Sequence, residues 1–408
     1  MKVIGIIAEY NPFHNGHKYQ IDALKKQTGA DYVIIAMSGN FLQRGVPALC
    51  DKYTRARMAL SCGADLVLEL PAIWATASAE YFAHGGVHLL NQTGVVTHLG
   101  FGAETDNLDA LCSVSSILKE EPVSYREALS IELKKGKTYP TARKNALLAA
   151  VDALSSTILD ELLDTPNNIL ALEYLKALPD TITPVLVQRK GAGYHESDIH
   201  TELPSATAIR DAVFQGNSSF INAMPAEAYA VLQQCIAENA LINSDDFSDI
   251  MGYRLLSIAK EGYAKYADCN QELSNKIQNQ LKNYSGFDTF CQALKSKDLT
   301  YTRISRLLLH ILLDIKQKDY ASGKELGYAP YLRVLGFRKD ATPLLNAIKK
   351  EAGVPLVTKV ADAASLLSPE AYSLFEKDLY ASSVYNQVMT VRKQQPPAND
   401  YTSQIVIL

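Results

Sequence analysis

Short apolar segments alternate with amphipathic ones throughout the first half of the chain. Apolar segments at 3–8, 32–37, 66–70, 98–102 and 183–188 predict buried β-strands. Between them, apolar side chains recur with helical spacing at 18–26, 52–62, 78–90, 107–118 and in a longer span to about residue 178. This alternation of strand and helix predicts an α/β fold built on a doubly wound parallel sheet.

Polar motifs follow three of these predicted strands at the point where each strand ends. Residues 11–17 follow the first strand, 38–40 the second and 102–104 the fourth. Because ligands of such sheets bind beyond the carboxyl ends of the strands, we expect these motifs to meet at one binding crevice.

From about residue 219 the pattern becomes mostly helical, as at 301–318, with few strand candidates. We therefore predict an α/β domain over 1–218 and a mostly helical domain over 219–408, which fits a chain of 408 residues. The stretch 394–399 is typical of a loose tail, and the apolar residues 405–408 are expected to dock back onto the protein.

Composition excludes several classes of protein. There is no run of about 18 apolar residues and no secretory signal pattern, so we expect neither a membrane span nor export. Six scattered cysteines without a Cys-x-x-Cys pair argue against a zinc site or a disulfide framework and favour the cytoplasm. The net charge of −4 means that any nucleic-acid footprint must be a local basic patch.

The strongest chemical signal is the turn after the first strand. His14 and His17 lie three residues apart at the start of a helical pattern, with Gly16 between them. The free N–H groups and positive dipole of a helix start bind anions, so both imidazoles can reach one phosphate. The alternatives are a pair of capping histidines and a metal pair.

A second motif of this kind begins at Ser205, which suits a helix N-cap, and continues through Thr207 to Arg210. Hydroxyl groups and a guanidinium at a helix start could hold phosphates opposite the two histidines. A plain capped helix with a solvated arginine is the alternative.

Both motifs resemble known signatures. Asn-Pro-Phe-His-Asn-Gly-His at 11–17 resembles the His-x-Gly-His motif of the nucleotidyltransferase superfamily, and Ser-Ala-Thr-Ala-Ile-Arg at 205–210 resembles its second motif. Together with segments 9–17, 37–48, 68–71, 166–170 and 329–336, they make most of the chain similar to bacterial tRNA(Met) cytidine acetate ligases.

The resemblance implies a reaction. Acetate and ATP would form acetyl-adenylate and pyrophosphate, and the wobble cytidine of elongator tRNA(Met) would then take the acetyl group on N4. The first domain would bind ATP with Mg²⁺, the second would bind tRNA, and no obligate protein partner is implied. The alternatives are a nucleotidyltransferase that adenylylates a small phosphorylated metabolite and a non-catalytic RNA-binding protein.

The resemblance also implies site residues. The catalytic groups would be His14, His17 and Arg210. The ATP contacts would be Ile7, Ala8, Glu9, Tyr10, Asn11, Pro12, Phe13, His14, Asn15, Gly16, His17, Lys18, Tyr19, Gln20, Gly102, Asn168, Arg189, Ser205 and Thr207. Asn168 could read the adenine edge or the ribose, or could instead cap a helix.

Basic residues supply candidates for the other substrates. Arg44 could bind the acetate carboxylate or the RNA backbone. Lys52, Arg55 and Arg57 at a helix start hint at an anionic partner, either phosphate or tRNA, and Lys52 is a candidate for tRNA binding, although a solvated face is the usual interpretation. In the helical half, the candidates for tRNA binding are Lys295, Lys297, Arg303, Arg306, Lys316 and Lys318, with Tyr301 as a stacking ring.

Other titratable residues are less informative. His84 and His88 share a helical face but lack a third metal ligand, so they and His98 are expected to be core or surface residues. Glu9 and Asp65 lie near strand ends, where either could act as a base or serve the structure.

Overall fold

The computed structural model describes residues 1–150, 155–189 and 205–408. The first part of the chain runs β1 (Val3–Ala8), α1 (Asn15–Thr28), β2 (Tyr32–Ser38), α2 (Lys52–Ser61), β3 (Leu66–Leu70), α3 (Ala72–Ala75), α4 (Ala79–Gln92), β4 (His98–Ala103), α5 (Leu108–Glu120), α6 (Val123–Lys134), α7 (Tyr139–Ala150), α8 (Ser156–Asp164), α9 (Pro166–Ala177), β5 (Thr183–Gln188) and α10 (Ala206–Phe214).

The second part continues α11 (Ala226–Ala237), α12 (Ser248–Ser257), α13 (Gln271–Gln280), α14 (Phe287–Leu294), α15 (Tyr301–Leu312), α16 (Gln317–Glu325), β6 (Leu332–Phe337), α17 (Thr342–Glu351), β7 (Leu356–Val357), α18 (Ala363–Leu366), α19 (Pro369–Lys393) and β8 (Val406–Ile407). Short 3₁₀ turns lie at Ser218–Ala223, Ser244–Phe247, Leu281–Asn283, Lys339–Ala341 and Val360–Asp362. None of the helices in the described ranges is long and apolar enough to cross a membrane.

One sheet organises the molecule, with strand order β5-β4-β1-β2-β3-β6-β7 and β8 beside β6. Strands β1 to β5 are parallel and lie within a residue of their predicted positions, so the doubly wound sheet is confirmed. The chain leaves β1 toward β2 and β3 and then returns to β4 on the other side of β1. This reversal creates a crevice at the carboxyl ends of β1 and β4.

Helices pack closely on both faces of the sheet and bury it in the core. Val3, Ile4 and Ile6 of β1 are buried. Helix α4 lies close to β1 because Gly86 has no side chain: a Cβ there would lie 2.6 Å from Cδ1 of Ile7. Helix α1 packs near β4 and β5. Strand β1 is therefore tightly packed against α4, and this packing fixes the position of its carboxyl end beside the crevice.

The second half is mostly helical, as predicted, but it also extends the sheet. Strand β6 pairs with β3 in the antiparallel direction, and both β7 and β8 pair with β6. The expected docking of the chain end is therefore observed as β8. The helix predicted over 301–318 is divided, since α15 ends at Leu312, Asp314 adopts a positive φ of 53°, and α16 begins at Gln317.

A buried ionic cluster joins the two halves. Lys52 is 1% exposed, and its Nζ lies 2.9 Å from Glu69 and 3.1 Å from Asp400. Arg333 of β6 lies 3.0 Å from the same Glu69 and 3.1 Å from the same Asp400. Burial alone would raise the pKa of Asp400, but Lys52 and Arg333 outweigh it and hold that pKa below its usual range.

The cluster corrects the prediction that Lys52 binds tRNA. Its ammonium group is enclosed by two carboxylates and the hydroxyl of Ser382, so it has no access to a phosphate of an RNA. Its neighbour Arg57, on the opposite side of α2, is exposed and remains available to solvent.

Replacing Lys52 with alanine should destabilise the fold by about 3–5 kcal/mol, because two buried carboxylates lose a counter-charge. Urea unfolding followed by circular dichroism measures this, with Arg57→Ala as the matched control from the same helix, expected to change stability by less than about 0.5 kcal/mol. Equal effects of the two substitutions would contradict the structural role of the cluster.

Candidate active site

A cavity of about 370 Å³ opens at the carboxyl edge of the sheet, where the sequence places its polar motifs. Most of the predicted ATP contacts line it, together with Arg44: Ile7, Ala8, Glu9, Tyr10, Asn11, His14, Gly16, His17, Tyr19, Gln20, Gly102, Arg189, Ser205, Thr207 and Arg210. Pro12 and Phe13 lie buried behind the wall, and the side chains of Asn15 and Lys18 bond elsewhere, to the carbonyl of Asn222 and to Asp22.

Two buried aromatic rings anchor the loop after β1. The rings of Tyr10 and Phe13, on either side of the Asn-Pro step, lie 4.8 Å apart and are almost completely buried. The Oδ1 of Asn11 accepts a 2.7 Å hydrogen bond from the backbone of Leu49. The loop is therefore attached to the core through Tyr10, Asn11 and Phe13, which fixes the position from which His14 and His17 reach the cavity.

Hydrogen bonds set the protonation of both histidines. The Nδ1 of His14 accepts from the backbone N–H of Gly16 at 3.1 Å, and the Nδ1 of His17 accepts from the N–H of His14 at 3.3 Å. A neutral ring whose Nδ1 accepts carries its proton on Nε2. Both Nε2 groups are therefore hydrogen-bond donors. His14 also caps α1, so the capping and the anion-binding interpretations are compatible.

Electrostatics keep the two rings neutral. Burial, followed by Arg189 and Arg210, lowers the pKa of His14 to about 3. Burial also lowers the pKa of His17, with His14 and Arg189 adding to the effect. The ring centroids are 3.7 Å apart, so a charge on one ring would be repelled by a charge on the other. Gly16 makes this pairing possible, because a Cβ there would lie 2.9 Å from Cε1 of His14.

The second motif reaches the first through Arg210. Ser205 caps α10 by accepting from the N–H of Ala208 at 3.1 Å. The Nη1 of Arg210 donates to the carbonyl of Asn11 at 2.8 Å, and its Nη2 donates to the hydroxyl of Thr207 at 3.0 Å. Arg210 is therefore not a solvated arginine: it joins the two motifs at one wall of the cavity. Residues 190–204, which lead into this helix, lie outside the described residues.

Arg55 holds the loops after β1 and β2 together. Its guanidinium group is completely buried and donates to the backbone carbonyls of Glu9, Ser38, Gly39 and Cys50. The anionic partner suggested for it from sequence is therefore wrong, because its donors are occupied by the protein itself.

Asn168 differs from its prediction. It is completely buried; its Oδ1 accepts from the backbone of Glu104 and Thr105 at 2.9 and 3.2 Å, and its Nδ2 donates to the carbonyl of Glu161. Its side chain is not the N-cap of α9, which is Thr165, and it does not line the cavity. The adjacent Asn167 lines the cavity instead and donates to Glu104 at 2.6 Å.

The far wall of the cavity is apolar. Phe82 from α4, Phe101 from β4, and Leu170 and Tyr174 from α9 line it together with Ile7. On a sequence basis these residues look like ordinary core positions of amphipathic elements, and only the way α4 and α9 meet β4 shows that they face a ligand-sized space.

Helix α15 connects the second half to the loop beside the cavity. The hydroxyl of Ser305 in α15 donates to the carbonyl of Gly45 at 2.7 Å, so α15 contacts the loop that carries Arg44. Lys295, Lys297 and Arg303 are exposed, whereas Arg306 is half-buried and lies 3.4 Å from Asp268. The Tyr301 hydroxyl bonds to Asp288, Lys316 pairs with Asp314, and Lys318 is exposed. The opposite face of α15 is core.

Asp65 and the histidine pair of α4 contact other parts of the protein. Asp65 accepts from the backbone of Val33 at 2.7 Å. His84 and His88 stack their rings, at 5.6 Å, on the same helix face. No group of three or more residues able to hold a metal ion occurs in the part of the chain that the structure describes.

Comparison with known proteins places this geometry in a family. The profile described as HIGH Nucleotidyl Transferase matches residues 1–400. The tRNA(Met) cytidine acetate ligase of Thermoanaerobacter pseudethanolicus is 39% identical over 390 residues, covering 94% of this chain and 95% of that protein. The ligase of Acetivibrio thermocellus is 34% identical over the full length of both. The chain belongs to the tRNA(Met) cytidine acetate ligase family.

Solved structures of the family share the fold. Thermotoga maritima TmcAL in its apo form has a TM-score of 0.93 at 30% identity, and the same protein bound with alpha-thio ATP has a TM-score of 0.92 at 29% identity. Both comparisons cover all of each chain. The resemblance stated from the sequence motifs and the α/β fold are thereby confirmed.

The histidine geometry predicts the Nε2–H form for both rings of this family member. Selective ¹⁵N-histidine labelling and multiple-bond NMR should show His14 neutral and protonated on Nε2 at every pH down to about 4. Because its pKa is lower in the folded chain than in the unfolded one, this histidine should reduce stability as pH falls below about 6.5. Titration of His14 near pH 6.5, or a proton on Nδ1, would contradict the geometry.

Alanine substitutions of Asn167 and Asn168 should have different effects, one mainly on nucleotide binding and the other mainly on stability. Asn168→Ala leaves the N–H groups of Glu104 and Thr105 without their acceptor and should cost about 2–4 kcal/mol of stability. Asn167→Ala, at the cavity wall, should weaken binding of an ATP analogue several-fold with a smaller loss of stability. Thermal unfolding and calorimetric titration of both variants test this. Weaker ATP-analogue binding in Asn168→Ala than in Asn167→Ala would instead favour the sequence-based prediction that Asn168 contacts ATP.

Proposed function

We propose that this protein activates acetate with ATP and transfers the acetyl group to N4 of the wobble cytidine in elongator tRNA(Met), releasing pyrophosphate and AMP. The observation that carries the proposal is the convergence of two neutral Nε2–H donors and the Arg210 guanidinium on one cavity, in a chain of this family. The relative from Thermotoga maritima that binds alpha-thio ATP has the same fold.

The phosphates of ATP suit the polar end of the cavity. His14 and His17 would donate to the phosphate oxygens, and Arg210 with Thr207 would neutralise the charge that grows on pyrophosphate. Neutral imidazoles fit this work because the backbone N–H groups occupy Nδ1 of each ring, which leaves the Nε2–H to donate to a phosphate oxygen. Arg189, which lines the cavity after β5, adds a second positive charge on the same side.

The adenine ring suits the apolar wall. Phe101, Leu170 and Tyr174 form a surface on which a purine can stack, next to the backbone of Gly102. Glu9 is the single carboxylate among the described cavity-lining residues. We therefore expect Mg²⁺ to enter bound to the ATP phosphates and water, since this ion commonly takes few protein ligands.

The tRNA would lie along α15 and the preceding loop. Lys295, Lys297 and Arg303 present positive charge to solvent, and α15 touches the loop of Arg44 at the mouth of the cavity. A wobble nucleotide lies in a single-stranded loop, so its base can enter the cavity without melting a duplex. Such a substrate and the unpaired cysteines both fit a cytoplasmic location.

Incubation with ATP, labelled acetate and unmodified tRNA(Met) should transfer label to the tRNA. His17→Ala should lower acetate-dependent pyrophosphate exchange by about 100-fold, because a donor to the transition-state charge is lost. Binding of tRNA to the variant, measured by filter retention, should stay within a factor of two. Adenylylation of a phosphorylated metabolite with unlabelled tRNA would instead support the alternative transferase.

Reversing charge on the exposed face of the second half should weaken tRNA binding alone. Lys297→Glu combined with Arg303→Glu should raise the KM for tRNA about tenfold or more, because charges that bind phosphates are reversed. The rate of acetate activation, which does not involve tRNA, should not change. Acetate-dependent pyrophosphate exchange provides the tRNA-free readout. Lys349→Glu, on the exposed face of α17, is the matched control. An unchanged KM for tRNA would place its binding surface elsewhere.

A further inference from the structure

The carboxyl group of Glu9 occupies an unusual position at the end of β1. It is half-buried and lines the cavity, and its Oε1 accepts a 2.9 Å hydrogen bond from the backbone N–H of Gln43. Its Oε2 has no hydrogen-bond partner among the described residues. One oxygen is therefore fixed by the loop after β2, while the other is open to a ligand.

The histidines of the cavity cannot serve as proton acceptors in their resting form. Each uses its basic nitrogen, Nδ1, to accept a backbone N–H, and carries its own proton on Nε2. Accepting a second proton would place a charge on a buried ring beside Arg189 and Arg210. Among the described lining residues, Glu9 is then the group with an open lone pair suited to take a proton.

The position of Glu9 matches the side from which tRNA would arrive. Gln43, which binds Oε1, precedes Arg44 and Gly45 in the same loop, and the carbonyl of Gly45 accepts from Ser305 of α15. The phosphate-binding groups reach the cavity from α1 and α10 instead. A base entering along α15 would therefore meet Glu9 while the nucleotide phosphates lie against the histidines.

We propose that Glu9 is the catalytic base of the acetyl-transfer step, an inference that rests on the proposed function. The N4 lone pair of cytidine attacks the carbonyl carbon of acetyl-adenylate and forms the new C–N bond. A proton leaves N4 for Oε2 of Glu9, and the C–O bond to the phosphate breaks with its electron pair, releasing AMP. No oxidant, reductant or further co-reactant is required.

The charges around Glu9 suit this role. Burial raises its pKa, whereas the Gln43 N–H, Arg44, Arg210 and Arg55 lower it in part. Tyr174 faces the same carboxylate from α9, and burial and Glu9 both raise its pKa, so it remains a neutral phenol. A carboxylate of raised pKa accepts a proton more readily than an exposed one, and the guanidinium groups nearby favour its ionised form.

The test separates the two half-reactions in Glu9→Gln, which preserves the shape of the side chain and the acceptor for Gln43. Acetate-dependent pyrophosphate exchange reports the first step, and single-turnover transfer from preformed acetyl-adenylate to tRNA(Met) reports the second. We expect the ratio of transfer rate to exchange rate to fall about 100-fold or more. We expect the transfer rate of the wild-type enzyme to rise with pH as Glu9 ionises, this rise to disappear in Glu9→Gln, and Glu9→Asp to restore part of it.

Glu127→Gln, an exposed carboxylate on α6, is the matched control and should behave as the wild type in both steps. An equal loss of exchange and transfer in Glu9→Gln would mean that Glu9 only positions the loop, and would overturn the inference. Transfer within threefold of wild type, or an unchanged pH profile, would overturn it as well. If the wild-type enzyme makes acetyl-adenylate but never acetylates tRNA(Met), the proposed function fails together with this inference.

Discussion

The buried guanidinium of Arg55 is the constraint on which the cavity depends. Strand β1 and strand β2 end side by side, and each is followed by a loop whose carbonyls would be left without donors in the interior. Arg55 supplies donors to both loops at once, to Glu9 on one side and to Ser38 and Gly39 on the other. The distance between the histidine loop and the Arg44 loop is thus set by one side chain that touches no substrate.

The basic residues fall into two groups, those buried within the fold and those that line the cavity. Lys52 and Arg333 are buried and paired with carboxylates, and Arg55 is buried and hydrogen-bonded to backbone carbonyls, so all three act within the fold. Other arginines, such as Arg189 and Arg210, line the cavity and act on its contents. The net charge of −4 counts buried and cavity-lining cations alike, so it does not reveal that the cleft is locally positive.

Sequence pattern predicts what depends on local periodicity. The five parallel strands and the two helix-start motifs were all within its reach, since each has its own apolar run or capping residues. Strands β7 and β8 have two residues each and no period to detect, and β6 is a strand because β3 offers it an edge. Lys52 was misassigned because its partner Asp400 lies 348 positions away. Asn168 was misassigned because only packing decides which of two adjacent amides faces inward.

The pairing of β8 with β6 joins segments of the chain that are synthesised at different times. Every histidine and arginine of the cavity lies at or before residue 210, whereas Asp400 and Val406 are added much later in translation. Until then Lys52 and Arg333 share a single glutamate, and one edge of the sheet lacks its last strand. A chain made only as far as residue 399 therefore carries the polar groups of the cavity on a scaffold whose buried ionic cluster and last strand are still missing.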